Sequence, residues 1–67
     1  MTAREFSDRF KPHVPVIHIA EAAGFNPRTW YTSVSRGRNL TADELTRLRV
    51  AVEAHADELR TMAAALA

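Results

Sequence analysis

The chain has 67 residues, 46% of them hydrophobic, no cysteine and a formal charge of +1. That length makes one domain burying about 60% of its unfolded surface, with no room for a cleft between domains or a doubly wound sheet. The absence of cysteine removes disulfides, thiol nucleophiles and thiolate zinc sites, and nine Lys/Arg against eight Asp/Glu neither implies nor excludes a nucleic-acid partner.

The N-terminal MTAREFSDRF is charged from Arg4 onward and lacks the apolar core of a signal peptide. The longest uninterrupted apolar run, Met62 to Ala67, is far short of the ~20 residues a membrane span needs. These features predict a soluble cytoplasmic chain with no membrane partner.

Two glycines and three prolines punctuate the chain. Thr2 and Glu5 have capping-box spacing, which predicts a first helix over about Ala3 to Lys11 with Phe6 and Phe10 on its apolar face. Pro12 and Pro15 end it, and Pro15 suits the first turn of a second helix, Val16 to Ala23. Gly24 is placed as its left-handed C-cap. Asn26-Pro27 reads as an N-cap with proline at the first helical position. The third helix then covers about Pro27 to Arg36, with Phe25 and Trp30 as a hydrophobic staple, and Gly37 ends it.

Thr41 and Glu44 repeat the capping box, with Leu40 and Leu45 as a second staple. From there Leu45, Leu48, Val52, His55, Leu59, Met62 and Leu66 are spaced 3, 4, 3, 4, 3, 4, a heptad pattern. This fits one long helix, or two pieces broken near His55 to Asp57 with Asp57 capping the second. No segment alternates with period two, so the expected fold is all-α, with four to five helices.

The stretch IHIAEAAGFNPRTWYTSVSRGRNLTADEL is the informative one. A short helix, a tight turn at Gly24 and a capped second helix make a helix-turn-helix, with Ala20 small where the helices cross and Ile19, Ala23, Phe25, Trp30 and Val34 apolar at the junction. With Trp30 at the buried meridian, ~100° per residue puts Arg28, Thr32 and Ser35 opposite it and Tyr31, Thr29 and Arg36 on the flanks. Charge follows the same division: between Ala22 and Ala42 there are three arginines and no acid, whereas residues 43–67 carry a net −2.

On IAEAAGF, Trp30 six residues after the glycine, and a basic Gly-containing loop leading into a capped helix, the chain resembles the phage repressor and Cro-type (lambda repressor-like) helix-turn-helix domains. The resemblance covers roughly residues 15–53. Two positions depart from that pattern: Val16 stands where glutamine is common, and Ser33 where an apolar residue is usual, with Val34 next to it. The resemblance implies a DNA-binding transcriptional regulator of two-fold operators, with its recognition helix entering the major groove N-terminus first. Asn26, Arg28, Thr29, Tyr31 and Thr32 are then the implied base-edge residues, Arg28 suited to a bidentate pair with guanine. Ser35, Arg36, Arg38 and Asn39 are placed for phosphates.

Trp30 reads foremost as a core anchor, and Tyr31 divides between a flank contact and packing on the first helix. His13, His18 and His55 do not converge, so no metal site is assigned. His55, on the heptad stripe, is expected to be buried or half-buried, where it can tune a dimer interface with pH. Ser7, Ser33 and Ser35 have no base at useful spacing, so no enzymatic function, cofactor or small-molecule ligand is assigned. The first half of the heptad must cover Phe6, Phe10 and Trp30. Its second half extends past what the domain needs, which predicts a homodimer through residues 56–67, centred on Leu59, Met62 and Leu66. A partner-binding helical module without DNA readout is the alternative, with the C-terminal helix as its working surface.

Overall fold

Three of the four helix starts carry a side-chain cap. In the computed structural model, which describes residues 1–66, the helices are α1 (Ala3–Phe10), α2 (Val16–Ala22), α3 (Pro27–Arg36) and α4 (Ala42–Ala64). Both capping boxes close reciprocally: Glu5 N–H donates to Thr2 Oγ1 at 3.1 Å while Thr2 N–H donates to Glu5 Oε1 at 3.0 Å. The Thr41–Glu44 pair does the same at 3.1 and 2.9 Å. Asn26 Oδ1 accepts from Arg28 N–H at 2.9 Å, with Pro27 opening α3. Each cap satisfies helix-terminal N–H groups that would otherwise lack a partner. α2 is the exception: Pro15 occupies the N-cap position itself, one residue ahead of the first turn where its ring was expected, and offers no side-chain cap.

α2 ends at Ala22, one residue before its expected limit, because Ala23 has already left helical geometry and Gly24 follows at φ +94°. Gly37 closes α3 at φ +61°, a left-handed C-cap whose N–H reaches the last carbonyls of the helix. α4 runs unbroken through His55 to Asp57. Its interior is free of Gly and Pro and rich in Ala and Leu, so nothing disfavours continuation. Asp57 is paired with Arg60 on the helix surface and caps nothing.

α1 packs on α3, and α2 packs on both α3 and α4. Trp30, 2% exposed, sits at the centre, with Phe6 edge-on at 5.8 Å and Phe25 edge-on at 5.0 Å, while Phe10 stacks on Phe6 at 4.6 Å. Burying an indole removes 150–250 Å² from water, roughly 4–6 kcal/mol before entropy. Ile19 and Ala20 of α2, Ala23 of the turn that follows it, and Leu48 and Ala51 of α4 complete the core. The N-terminus is tied down as well: Ala3 N–H donates to the Arg38 carbonyl at 2.8 Å and Leu40 N–H to the Met1 carbonyl at 2.9 Å, forming a single antiparallel bridge between Thr2 and Asn39.

Along α4, Leu45, Val52 and His55 are half-buried and every described residue from Ala56 onward is exposed. The helix therefore projects from the body, and the molecule measures 44 × 21 × 19 Å. No helix among the described residues is long and apolar enough to cross a membrane. Ala67, the last residue of the expected dimerisation segment, lies outside the described residues.

Candidate nucleic-acid interface

The orientation of α3 is fixed by what it buries. Trp30 and Ser33 face inward and Val34 is half-buried, leaving Arg28, Thr29, Tyr31, Thr32, Ser35 and Arg36 exposed along the outer face. Tyr31 is 64% exposed, so it is not packed away against α1. Arg28, Thr29, Thr32 and Arg36 line a shallow surface groove with Ser33 and Arg38. Thr32 Oγ1 donates back to the Arg28 carbonyl at 3.0 Å, so its lone pairs and methyl group are what it offers outward. Asn26 has its Oδ1 engaged in the cap; as an amide it keeps an NH2 donor besides.

The nine cationic side chains divide by partner. Lys11, Arg38, Arg47, Arg49 and Arg60 each have a carboxylate neighbour. Arg4 donates to the Val34 and Ser35 carbonyls at the C-terminal end of α3, where a cation also meets the negative end of the helix dipole. Among the described residues Arg9, Arg28 and Arg36 make no side-chain hydrogen bond or ion pair, and of these three Arg28 and Arg36 stand on the outer face of α3. A guanidinium held in water without a counter-charge is the arrangement that a phosphate or a guanine edge can use without first breaking an ion pair.

Arg38 is differently placed from its expected role. Its Nε donates to Ser33 Oγ at 3.0 Å, and its two terminal nitrogens meet the Glu44 carboxylate at 3.1 and 2.9 Å. The Arg38 guanidinium, with help from the Thr41 cap, holds the Glu44 carboxyl down at about 2. This bidentate pair neutralises one of the three arginines of the basic segment and locks the α3–α4 connection. It also accounts for Ser33: the small side chain is buried in a position that suits an apolar group, and its hydroxyl is satisfied by Arg38. Asn39 is exposed, with its backbone in the bridge to Thr2.

A second arginine secures the tight turn. Arg47, on α4, donates from Nη1 to the Ala23 carbonyl at 2.7 Å, pairs through Nε with Asp43 at 3.0 Å, and lies over the Phe25 ring at 5.6 Å. A Cβ on Gly24 would come within 2.9 Å of that Nη1. Arg47 and Arg4 both escaped the sequence reading, since their targets are backbone carbonyls 24 and 30 residues away and leave no local spacing signal.

His18 and His55 do approach a common place, a groove of about 470 Å³ between α2 and α4 that Glu58 also borders. No three of the described His, Asp or Glu side chains are arranged to hold a metal ion. Leu59, Met62 and Leu66 are 49%, 59% and 87% exposed. No protein-family model, curated protein or solved structure matches this chain.

Proposed function

We propose that the chain is a sequence-specific double-stranded DNA-binding regulator of the repressor or Cro type, encoded by a phage or mobile element and acting in the cytoplasm of a bacterial cell by occupying a two-fold operator as a homodimer. The observation that carries this is the outer face of α3. It is rigidly oriented by Trp30 and the Asn26 cap, free of acidic residues, and carries two arginines without counter-charges.

In this reading α3 lies in the major groove. Arg28, on its first turn, reaches a base edge, with Thr29, Tyr31, Thr32 and the Asn26 amide alongside, and a bidentate Arg–guanine pair discriminates by ~1–3 kcal/mol. Arg36 and Ser35 at the far end meet phosphate, with Asn39 beside them. Arg38 serves chiefly by holding the loop in place. The protein works by binding alone, with neither a reaction, a cofactor nor a small-molecule ligand.

The second reading, a partner-binding module, is favoured by one observation: the exposed apolar stripe of α4. Arg28→Ala separates the two. It abolishes sequence-specific retardation of a selected duplex if α3 reads DNA, and leaves retention of a protein partner intact if α4 is the working surface.

A further inference from the structure

The basic loop after α3 loses one arginine to Glu44 and gains another from the start of the chain. Arg4 crosses to the C-terminal end of α3, where its Nε donates to the Val34 carbonyl at 3.2 Å and its Nη2 to the Ser35 carbonyl. The backbone fixes it there: Ala3 N–H donates to the Arg38 carbonyl and Leu40 N–H to the Met1 carbonyl, so the first residues lie along the loop. A Cβ on Gly37 would stand 3.9 Å from Arg4 Cζ. In space the charge of Arg4 therefore joins Arg36-Gly37-Arg38, although 30 residues separate it from Val34 in sequence.

We propose that Arg4 is a phosphate-binding residue of the DNA interface, an inference that rests on the reading of α3 as a DNA-recognition helix. Three features set it apart from a brace alone. First, carbonyls orient a guanidinium without neutralising it. Among the described residues Arg4 has no carboxylate partner, and the neighbouring acids of α1 are engaged elsewhere, Glu5 in the Thr2 capping box and Asp8 facing Lys11 at 3.8 Å. Second, a guanidinium has donors on all three of its nitrogens. Nη1 of Arg4 has no partner among the described residues, and the residue is exposed.

Third, the side chain is already ordered. Two hydrogen bonds hold it in one place, so a phosphate that meets Nη1 does not have to immobilise a long, free side chain first. Arg38 is the contrast. It belongs to the loop by sequence, yet its charge is held by Glu44 at 2.9 Å, and a phosphate would have to displace that carboxylate to use it. The cations that each copy offers to the DNA backbone at the end of α3 are thus Arg36 and Arg4.

Binding of a selected duplex between 50 and 200 mM salt reads this contact, because each phosphate neutralised adds about −0.9 to the slope of log K against log salt. Arg4→Gln removes the charge. Its slope should be shallower than that of wild type by about one unit per chain, so that the affinity ratio between the two shrinks roughly threefold per chain over this range. Arg4→Lys keeps the charge, and its slope should stay at the wild-type value even where weaker bracing lowers the affinity. Citrulline at position 4, introduced by chemical synthesis of the chain, is neutral but keeps the Nε–H and a terminal NH2. It preserves the brace, guards against a glutamine variant that fails to fold, and should reproduce the shallow slope.

A brace alone would change stability or overall affinity and leave the slope untouched. A wild-type slope in the folded glutamine or citrulline chain overturns the proposal, whatever the loss of affinity. Methylphosphonates, which neutralise single phosphates of the duplex, give a second reading. One position in each half-site should weaken wild type and leave the citrulline chain unaffected; the absence of any such position also overturns it. If wild type enriches no duplex, the DNA-binding reading fails and Arg4 fails with it. If a duplex is bound in an Arg28-dependent way and the slope ignores position 4, that reading stands and Arg4 is a brace.

Discussion

Among the described residues Glu44 is the most connected carboxylate, and removing it in two ways separates its roles. Glu44→Ala loses both the bidentate pair with Arg38 and the return bond of the capping box. Hydrogen bonds to charged groups contribute ~1.5–3 kcal/mol. Arg38 is partly solvated, so the pair is set at the low end of that range or below, about 1–2 kcal/mol. The cap adds about 1 kcal/mol. The total, about 2–3 kcal/mol, lowers Tm by roughly 10–20 °C in a domain of this size.

Glu44→Gln keeps an acceptor for the Thr41 N–H and a neutral contact to Arg38, so it costs only about 1 kcal/mol. The charge also dictates a pH dependence. The Glu44 carboxyl titrates at about 2 in the folded chain, against ~4.3 when unfolded. A pKa depressed by folding contributes stability that is fully present above the unfolded value and is lost as pH falls through the folded one. Wild-type stability therefore declines between about pH 5 and pH 2, and the Glu44→Gln chain shows a shallower decline. Glu5, whose carboxyl is lowered by its bonds to Thr2, keeps part of the slope in both. Thermal and urea unfolding followed by circular dichroism at pH 7, 4 and 2.5 measures all three quantities. Equal stabilities for wild type and Glu44→Ala at pH 7, or identical pH slopes for wild type and Glu44→Gln, would refute the reasoning.

The two glycines should respond unequally to alanine. Gly24→Ala combines a left-handed backbone with a Cβ 2.9 Å from Arg47 Nη1 and should cost about 2–3 kcal/mol, whereas Gly37→Ala, with 3.9 Å to the nearest side-chain atom, should cost about 1 kcal/mol; urea midpoints in the same order for both would be expected, and a reversed order would contradict the turn geometry. Arg47→Met keeps the aliphatic stem over Phe25 but leaves the Ala23 carbonyl unpaired, for a loss of about 1–2 kcal/mol visible in Tm. Glu44→Gln at pH 7 releases the Arg38 charge beside Arg28 and Arg36, and a titration of duplex binding against salt should steepen by about one unit per chain; an unchanged slope would mean that Arg38 does not approach phosphate even when freed.

The helix starts were legible because capping is local chemistry. Thr2, Asn26 and Thr41 each act on a backbone N–H two or three residues away. The inward face of α3 followed from Trp30 by helical geometry alone. The continuity of α4 was not legible, since an aspartate at position 57 serves equally as a cap or as one half of an i, i+3 pair with Arg60. The basic segment was overcounted for a related reason. Dividing charge by sequence position assigns Arg38 to one side and Glu44 to the other, while the fold joins them. Ser33 looked like a departure from a packing pattern, and its explanation lies in a guanidinium five residues on. Arg4 and Arg47, which brace the end of α3 and the turn, bind carbonyls, and carbonyls are present at every residue.

The most direct test of the central claim is selection from a random duplex library, followed by binding of the selected duplex to wild type and Arg28→Ala across a salt series. DNA reading by α3 predicts enrichment of a two-fold sequence and a log K against log salt slope of about −2 to −4, from two to four phosphates neutralised by Arg36 and its neighbours in the two copies. It also predicts a loss of roughly 30-fold or more for Arg28→Ala, the effect of ~1–3 kcal/mol in each half-site. No enriched sequence, a slope near zero, or an Arg28→Ala chain that binds the selected duplex as well as wild type would contradict it.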